Sequence, residues 1–301
     1  MPPSVLVRSM ERLLELGGAA ATSRWARVDG GRVHWLEAGA GRPVLLLHGA
    51  GGGGANWFRV IGPLARRLRV LAPDLPGFGL SEPISPMAPL GGQVADWVRR
   101  WLDVIAVGTC DVVGTSFGGL VALRLAQRAP DRVRRIVLLD SAGLGPEVPA
   151  IVRIAGTRPV ARWLRRPSRG ATAWLFRKLL VSDRGAIDPT VEAALIEYLL
   201  RSAEAGDPVR MVRAYRLFCG IRGQREILRD EELRRITHPA LVVWGDRDRF
   251  FPPAHGERAA ATLPLASIHW VRGAGHSPSW EAPDRVATTL ARFLGPEGPT
   301  P

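Results

Sequence analysis

The chain has 301 residues, of which 46% are hydrophobic, and it carries a formal net charge of +13. This length and apolar content allow a large buried core, arranged as one domain with an insertion or as two domains. No apolar run approaches the roughly 18 residues of a membrane-spanning helix, and the N-terminus lacks the pattern of a secretory signal peptide. We therefore expect a globular protein, and the cysteine usage described next favours a cytoplasmic one.

The positive charge does not by itself indicate nucleic-acid binding. The basic residues include one lysine, Lys178, and no helix-turn-helix, zinc-finger or RNA-binding motif accompanies the arginines. Two cysteines, Cys110 and Cys219, have no metal-ligand neighbours at a suitable spacing, so we expect reduced, buried thiols. The prediction is a protein that binds no nucleic acid, metal or cofactor.

Strands and helices alternate in the first half of the chain. An amphipathic helix over residues 5–16 ends at Gly17-Gly18, and a hairpin turns at residues 29–31. Strands are predicted at residues 32–37, 43–47, 69–72, 110–113 and 135–140, and helices at residues 56–68, 93–105 and 120–128. This alternation predicts an α/β fold with a mostly parallel central sheet flanked by helices.

The alternation stops after Asp140 and resumes with predicted elements at residues 240–244, 254–263, 267–271 and 283–293. Residues 143–235 are helical in pattern, rich in arginine and interrupted by prolines, without a convincing buried strand. We predict a core formed by residues 1–142 and 236–294, with a disordered tail at residues 295–301. The segment 143–235 is predicted to be a helical cap inserted at the carboxyl edge of the sheet, where ligands bind in open α/β folds.

A Gly-x-Ser-x-Gly pattern centred on Ser116 lies between a predicted strand and a predicted helix. A sharp turn there lifts the serine hydroxyl clear of the sheet and leaves no room for side chains at Gly114 and Gly118. The helix that follows directs its free N–H groups and the positive end of its dipole at the space above the serine. Ser116 is therefore the predicted nucleophile.

A serine hydroxyl needs a base, and the base needs an orienting acid. His276 lies in a glycine-rich loop after the last predicted strand and is the predicted base. His48 precedes the glycine-rich loop 49–54; we expect it to hold that loop, with proton transfer as the alternative. The other four histidines are predicted to pack within strands or to be solvated beside prolines: His34 and His269 in strands, His238 and His255 near turns.

Three aspartates compete for the role of the acid. Asp246 and Asp248 follow the strand predicted at residues 240–244, and Asp140 ends the strand after the nucleophile helix. All three are expected at the carboxyl edge of the sheet, and side-chain alternation does not separate them. Asp248 is preferred at this point, and the other two remain open.

The chain order of nucleophile, acid and base resembles that of the α/β-hydrolase fold family. Four further segments are similar to that family: His48-Gly49 with its glycines, residues 74–81, residues 244–248 and residues 275–283. The resemblance covers residues 32–142 and 240–294 and implies that the acid is Asp248. It also implies an oxyanion hole made by the backbone N–H groups of Ala50 and Phe117, with His48, Gly49 and Gly51 in the oxyanion loop.

Within that family, the serine nucleophile is unlike the aspartate of related dehalogenases and epoxide hydrolases. The layout resembles carboxylesterases and, less closely, meta-cleavage C–C bond hydrolases. The latter usually have a proline among the oxyanion-loop glycines and a tryptophan after the histidine, where this chain has Gly52-Gly53 and Ser277. The resemblance thus implies ester hydrolysis of an apolar acyl substrate. C–C hydrolysis, perhydrolase, lactonase or acyl-transfer chemistry, and a non-catalytic binding protein, are the alternatives.

Residues 151–182 carry eight basic residues and no acidic residue: Arg153, Arg158, Arg162, Arg165, Arg166, Arg169, Arg177 and Lys178. Their spacing with apolar residues fits two short basic amphipathic helices separated at Pro167. The simpler interpretation is a solvated outer face on a cap that covers the active site. The alternative is a weak, salt-sensitive contact with anionic lipid or an acidic carrier protein.

Overall fold

An eight-stranded sheet organises the protein, whose computed structural model describes residues 4–155, 168–206 and 208–295. Its order is β1-β2-β4-β3-β5-β6-β9-β10; the pairs β1–β2 and β2–β4 are antiparallel and the other pairs are parallel. The strands are β1 (Thr22–Val28), β2 (Gly31–Ala38), β3 (Arg42–Leu47), β4 (Leu68–Pro73), β5 (Cys110–Thr115), β6 (Val133–Leu139), β9 (Ala240–Gly245) and β10 (Ala266–Val271). The predicted α/β fold with a mostly parallel sheet is confirmed.

Helices cover both faces of this sheet and make up most of the segment inserted between β6 and β9, the predicted cap. They are α1 (Val5–Leu16), α2 (Phe58–Ala65), α3 (Leu90–Val104), α4 (Phe117–Arg128), α5 (Ala150–Ala155), α6 (Arg169–Leu175), α7 (Pro189–Ala205), α8 (Pro208–Phe218), α9 (Asp230–Arg234), α10 (Pro253–Thr262), α11 (Pro278–Glu281) and α12 (Pro283–Leu294). Among the helices described, none is both long and apolar enough to cross a membrane.

The central strands are continuous apolar runs because both of their faces are covered. Every residue of β9 is buried, as are the last four residues of β3, which is the pattern of parallel strands between two helical layers. Hydrophobic side chains pack on each face in a separate cluster. One contains Trp97 and Trp101 of α3, and the other contains Phe58 of α2 and Leu290 of α12.

The inserted segment differs from its prediction in one respect. Cys219–Gly220 (β7) and Gly223–Gln224 (β8) form a short, buried antiparallel hairpin within the cap, so the expectation of a segment without buried strands was wrong. Strands of two residues are too short to produce an alternating pattern in the sequence. At Gly223 the backbone φ is +102°, and an added Cβ would lie 1.8 Å from the Pro146 carbonyl oxygen, so this tight turn requires glycine.

The ends of several elements also differ from the sequence prediction. The helix predicted at residues 56–68 begins as a 3₁₀ turn at Gly54–Trp57, and the α-helix itself covers Phe58–Ala65. Helix α1 has the predicted bounds and packs against α7 and α2. The cap boundaries remain a prediction, although β6 and β9 flank the inserted segment as expected. Most of the predicted disordered tail, residues 296–301, lies outside the described residues.

Candidate active site

Ser116 occupies a strained turn between β5 and α4. Its backbone torsions are φ +51° and ψ −119°, in a region that residues with a side chain rarely adopt. Its carbonyl accepts hydrogen bonds from the N–H groups of Gly119 and Ala142, at 3.0 and 2.9 Å. These bonds hold the serine in the strained conformation at the carboxyl end of β5, and Phe117 begins the helix directly after it.

The glycines around Ser116 permit backbone approaches that a side chain would block. A Cβ at Gly114 would lie 2.3 Å from the Gly118 carbonyl oxygen, and one at Gly118 would lie 2.2 Å from the Leu47 carbonyl oxygen. A Cβ at Gly49 would lie 3.1 Å from the Cβ of Ser116, so the loop after β3 reaches the serine closely. The Gly-x-Ser-x-Gly pattern thus reflects contacts with two strands as well as turn geometry.

His276 and Asp248 meet at the same edge of the sheet. His276 follows β10, Asp248 follows β9, and His276 Nδ1 lies 2.9 Å from Asp248 Oδ2. The other carboxylate oxygen, Oδ1, accepts the N–H groups of Phe250 and Phe251 at 2.6 and 3.0 Å. Both side chains are at least 96% buried, because their exposed fractions are 4% and 0%. The carboxylate is therefore oriented by two backbone donors and directed at the imidazole.

Two aromatic rings hold the His276 imidazole from different sides. The ring of Phe250 stacks on it with centroids 4.7 Å apart, and the ring of Phe251 meets it edge-on at 5.0 Å. Sequence reasoning did not assign a role to these phenylalanines, although their position directly after Asp248 was a usable signal. The two residues supply both the backbone donors to the acid and the packing of the base.

The three candidate acids have different surroundings. Asp246 lies apart from His276; it accepts the Gly273 N–H at 2.7 Å and pairs with Arg272 at 3.6 Å. Asp140 is close, since one carboxylate oxygen each from Asp140 and Asp248 and a ring nitrogen of His276 all lie within 4.8 Å of one another. Burial and the neighbouring charge of Asp248 raise the pKa of Asp140 well above its usual value.

His48 is fully engaged by backbone groups of two loops. Its Nε2 accepts the Leu75 N–H at 2.9 Å, so its Nδ1 carries the proton that is donated to the Gly49 carbonyl at 2.7 Å. Burial is the main reason that the pKa of His48 is lowered, which favours this neutral form. The geometry supports the expected loop-holding role and leaves neither ring nitrogen for proton transfer.

Asp74 and His34 support the same oxyanion loop from below. Asp74 accepts the N–H groups of Gly54 and Leu80 at 2.6 and 2.8 Å, and its Oδ2 lies 2.8 Å from His34 Nδ1. Burial alone would raise the pKa of Asp74, but these hydrogen bonds and His34 lower it. His34 was expected only to pack within its strand, and it is in fact part of a buried polar network.

Two polar side chains connect the inserted segment to the glycine-rich loop 49–54 and to the His276 loop. On α7, Ser202 Oγ donates to the Gly52 carbonyl at 2.9 Å and accepts the Gly79 N–H at 3.2 Å. Glu281 accepts the Gly275 N–H at 2.7 Å and the Ser182 N–H, also at 2.7 Å. No sequence pattern pointed to Ser202. Glu281 lies in the family-like segment 275–283, but the sequence did not indicate its bond to Ser182, because that bond joins segments far apart in the chain.

An apolar cleft of about 80 Å³ lies between the sheet domain and the inserted segment. Ala50 and Phe117, whose N–H groups were predicted to form an oxyanion hole, both border it. The remaining lining side chains are largely apolar and include Phe78, Ile84, Leu90, Val94, Tyr215 and Phe218. One cation, Arg210, stands at its border, where its guanidinium donates to the Pro83 carbonyl at 3.0 Å.

The basic residues of the cap are partly neutralised. Arg169 and Arg177 each pair with an acid on α7, Glu197 and Glu192 respectively, and both distances are 2.6 Å. Four of the predicted basic residues, Arg158, Arg162, Arg165 and Arg166, lie outside the described residues, as does the first of the two predicted helices. The second predicted helix is present as α6, which continues into a π-helical turn at Phe176–Leu180. The sequence count of +8 therefore overstates the charge that this face presents.

Two further predictions concern residues outside the site. His255 was expected to be solvated, but it is 4% exposed and its Nε2 lies 2.7 Å from Glu147. The start of α10 folds back against the loop that enters the cap, which the local sequence did not indicate. Both cysteines are buried free thiols, as predicted.

Known proteins resemble this chain over most of its length. The family described as alpha/beta hydrolase fold matches residues 42–283. The 2-hydroxy-6-oxononadienedioate/2-hydroxy-6-oxononatrienedioate hydrolase of Cupriavidus pinatubonensis is 31% identical over 92% of this chain and 96% of its own length.

Among solved structures, a bacterial membrane phospholipase A superposes with a TM-score of 0.80 and 28% identity, covering 96% of this chain and 90% of that one. A thermophilic esterase from Thermogutta terrifontis superposes with a TM-score of 0.74 and 26% identity, covering 92% of this chain and 98% of that one. The sheet order, the strained serine turn and these matches lead to one conclusion: the chain belongs to the α/β-hydrolase fold family.

Proposed function

We propose that this α/β hydrolase cleaves carboxylic esters with an apolar acyl group, through a covalent acyl-enzyme on Ser116. The observation that carries the proposal is the hydrogen bond between His276 and Asp248 at the sheet edge where Ser116 is held in its strained turn. A serine turn, an oriented imidazole and a cleft at one edge are the components that acyl transfer needs.

In the proposed reaction, Ser116 Oγ attacks the acyl carbon while His276 takes its proton. His276 then gives that proton to the departing alkoxide, and the acyl-enzyme remains. A water molecule, deprotonated by the same imidazole, then attacks the acyl carbon. The imidazolium returns the proton to Ser116 Oγ as the ester bond to the serine breaks, and the carboxylic acid is released. Asp248 orients the ring and stabilises the imidazolium that forms in each half-reaction.

The negative charge that develops on the acyl oxygen needs fixed donors. Phe117 is the first residue of α4, where an N–H has no acceptor within the helix and the helix dipole favours an anion. Ala50 borders the same cleft, on the loop that is held by His48 and Asp74. We propose that these two N–H groups form the oxyanion hole; one such donor typically lowers the barrier by about 2.7–4 kcal/mol.

The lining of the cleft supports an apolar acyl group. Phe78, Leu90, Val94 and Phe218 offer hydrophobic contact, so binding would gain about 25 cal/mol for each Å² of apolar surface removed from water. The similarity to an esterase and to a membrane phospholipase A is consistent with ester chemistry.

C–C bond hydrolysis is the second candidate, and two observations favour it. The relative from Cupriavidus pinatubonensis is named as a hydrolase of a dienedioate, and Arg210 borders the cleft where it could meet a substrate carboxylate. Against this candidate, Ser277 and Gly52-Gly53 stand where the meta-cleavage subgroup usually has tryptophan and proline.

The test combines a covalent probe with a substrate panel. A fluorophosphonate should label the wild-type protein and should not label Ser116→Ala. Hydrolysis of p-nitrophenyl esters with acyl chains of increasing length, run beside a meta-cleavage dienoate, should show kcat/KM highest for an ester. Labelling of Ser116 with turnover of the dienoate alone would support C–C hydrolysis, and an unlabelled wild type would contradict the nucleophile assignment.

We further propose that the protein acts in the cytoplasm and that the outer cap face contacts anionic lipid weakly. Exposed Ile151 and Ile154 flank Arg153 on α5, and Trp174 on α6 is 45% exposed. Binding to anionic vesicles should be measurable at low salt and should fall steeply as salt rises. Replacing Arg162, Arg165 and Arg166 by glutamine should abolish binding without affecting turnover of a soluble ester; binding that ignores salt would contradict the electrostatic contact.

A further inference from the structure

Asp140 is a buried carboxyl group beside the proposed triad that the mechanism above does not use. It follows β6 with a backbone φ of +42° and is 0% exposed. Its Oδ1 accepts the Gly245 N–H at 2.9 Å, but its Oδ2, within the part of the chain that the structure describes, meets no hydrogen-bond donor. A buried carboxylate oxygen without a donor is costly, so this atom calls for an explanation.

The charged and titratable groups that face Asp140 come from three separate elements. Asp248 lies in the loop after β9 and His276 in the loop after β10, with polar atoms of all three residues within 4.8 Å of one another. Glu281 of α11 adds a further acidic group to the surroundings. The neighbours of Asp140 are therefore two acids and an imidazole, and the imidazole is already bonded to Asp248.

The donors around the two aspartates are distributed unequally. Asp248 receives the N–H groups of Phe250 and Phe251 and lies 2.9 Å from His276 Nδ1. Asp140 receives a single N–H, that of Gly245. Hydrogen-bond donors favour an ionised carboxylate, and two adjacent buried carboxylates cannot both ionise readily. A proton shared by this pair is therefore held on Asp140, at the oxygen that lacks a donor.

We propose that Asp140 is a positioning residue for the triad: a neutral carboxylic acid whose Oδ2–H donates to the Asp248 carboxylate. The proposal rests on the proposed function for the roles of Asp248 and His276. Burial and the charge of Asp248 raise the pKa of Asp140, in the direction that this arrangement requires. The carboxyl pair then carries one negative charge. The Asp140 O–H is a third donor to Asp248, after the N–H groups of Phe250 and Phe251, and it fixes the carboxylate that orients His276.

Two substitutions at Asp140 test whether its side chain acts by donating a hydrogen bond or by carrying a negative charge. Asp140→Leu keeps the branched outline of the side chain but has neither a donor nor an acceptor, and it should lower kcat on the best p-nitrophenyl ester about 10- to 100-fold. Asp140→Asn offers an N–H donor in place of the O–H and keeps an acceptor for Gly245, so it should recover kcat to within about fivefold of wild type. If Asp140→Asn were as inactive as Asp248→Asn, Asp140 would be the ionised acid and the proposal would be wrong.

The pH profile of kcat/KM provides a readout that a purely structural role would not move. If Asp140 is neutral in the wild type, Asp140→Asn should leave the acidic limb where it is and remove the loss of activity that follows ionisation of Asp140 at high pH. If Asp140 were ionised at neutral pH, removing its charge would let His276 lose its proton at lower pH. A downward shift of the acidic limb in Asp140→Asn would therefore overturn the proposal.

A measurement made without substrate distinguishes the inference about Asp140 from the proposed ester hydrolysis. Carboxyl ¹³C NMR of aspartate-labelled protein, assigned by comparison with Asp140→Asn, should show a neutral Asp140 at pH 7 even if no ester is turned over. An ionised Asp140 would overturn this inference and leave the proposed hydrolysis intact. Dialysis against a chelator should change neither the resonance nor kcat, whereas a change in either would assign the neutralising charge to a bound cation.

Discussion

Two buried aspartate–histidine pairs in this protein have nearly the same local geometry. His34 Nδ1 lies 2.8 Å from Asp74 Oδ2, and its Nε2 lies 3.0 Å from Ser23 Oγ. His276 Nδ1 lies 2.9 Å from Asp248 Oδ2. By distance alone, Ser23, His34 and Asp74 thus form a serine–histidine–aspartate triplet. The surroundings of this triplet nevertheless differ from those of the Ser116 site.

The serines differ first. Ser23 sits in the regular strand β1, paired with Leu36 and exposed on the hairpin, whereas Ser116 has a φ of +51° at the start of a helix. The acids differ as well. Asp74 joins two loops through the N–H groups of Gly54 and Leu80, while Asp248 lies beside the second buried acid Asp140. Backbone strain, the start of a helix and a neighbouring cleft are therefore found at Ser116 and not at Ser23.

The comparison teaches that hydrogen-bond distances do not distinguish a structural triplet from a candidate catalytic one. The His34–Asp74 pair stabilises the loop that carries Ala50, so it supports the proposed oxyanion hole without touching a reacting atom. The His276–Asp248 pair lies at the carboxyl edge of the sheet, where β5 ends at the Ser116 turn. The distinction lies in the conformation and surroundings of the serine at each site, and the following predictions test it.

The largest expected effect separates the two serines. Ser116→Ala should lower kcat by about 10³–10⁶-fold because it removes the proposed nucleophile, while Ser23→Ala should keep near-native kcat. Steady-state kinetics on one p-nitrophenyl ester checks both, with thermal melting as the control for folding. If Ser23→Ala were the inactive variant, the assignment of the two triplets would be reversed.

Substitution of Asp248 should affect activity, whereas substitution of Asp74 should affect stability. Asp248→Asn should lower kcat about 10⁴-fold with little change in stability, because the imidazole loses its orienting charge. Asp74→Asn should reduce the free energy of unfolding by about 3 kcal/mol or more, because an amide cannot accept all three of the hydrogen bonds that Asp74 receives. Urea unfolding and kcat on both variants decide the matter; near-native kcat in Asp248→Asn would contradict the acid assignment.

The neutral His48 should leave a signature in the pH dependence of stability. Burial lowers the pKa of His48 below its ordinary value of 6.5, so the unfolded chain takes up this proton first as the pH falls. Stability is therefore full above pH 6.5 and decreases below it, by at most about 1.4 kcal/mol per pH unit.

His48→Gln keeps an acceptor for the Leu75 N–H but does not titrate. The difference in unfolding free energy between wild type and His48→Gln should shrink as the pH falls from 6.5 towards 5, as measured by urea unfolding at each pH. A constant difference across that range would show that His48 does not change its protonation on unfolding.

The smallest expected effect concerns the link between the cap and the oxyanion loop. Ser202→Ala removes the bond to the Gly52 carbonyl and should lower stability by about 1 kcal/mol and kcat a few-fold. Ser267→Ala, at an exposed position on β10, is the matched control and should change neither quantity. An unchanged kcat in Ser202→Ala, with stability reduced, would limit this serine to holding the cap.

The sequence by itself determined the architecture and was enough to name the candidate residues of the main site. Apolar runs such as residues 43–47 and 240–244 are long enough, and flanked clearly enough, to indicate buried strands of a parallel sheet. Glycines 114 and 118 predict a turn that needs their missing side chains, and the loop positions of His276 and Asp248 follow from the strands that precede them. These are local signals, readable within about ten residues of the chain.

Tertiary structure alone decided which polar groups meet across long separations. Ser202 reaches Gly52, Glu281 reaches Ser182, and His34 pairs with Asp74, in each case because two distant loops pack together. Asp140 was one of two less favoured candidates for the acid in the sequence. Only packing placed its carboxyl group beside that of Asp248, while Asp246 accepts the Gly273 N–H instead. The physical reason is that protonation and hydrogen-bond supply depend on burial and on neighbours in space, which a linear pattern does not encode.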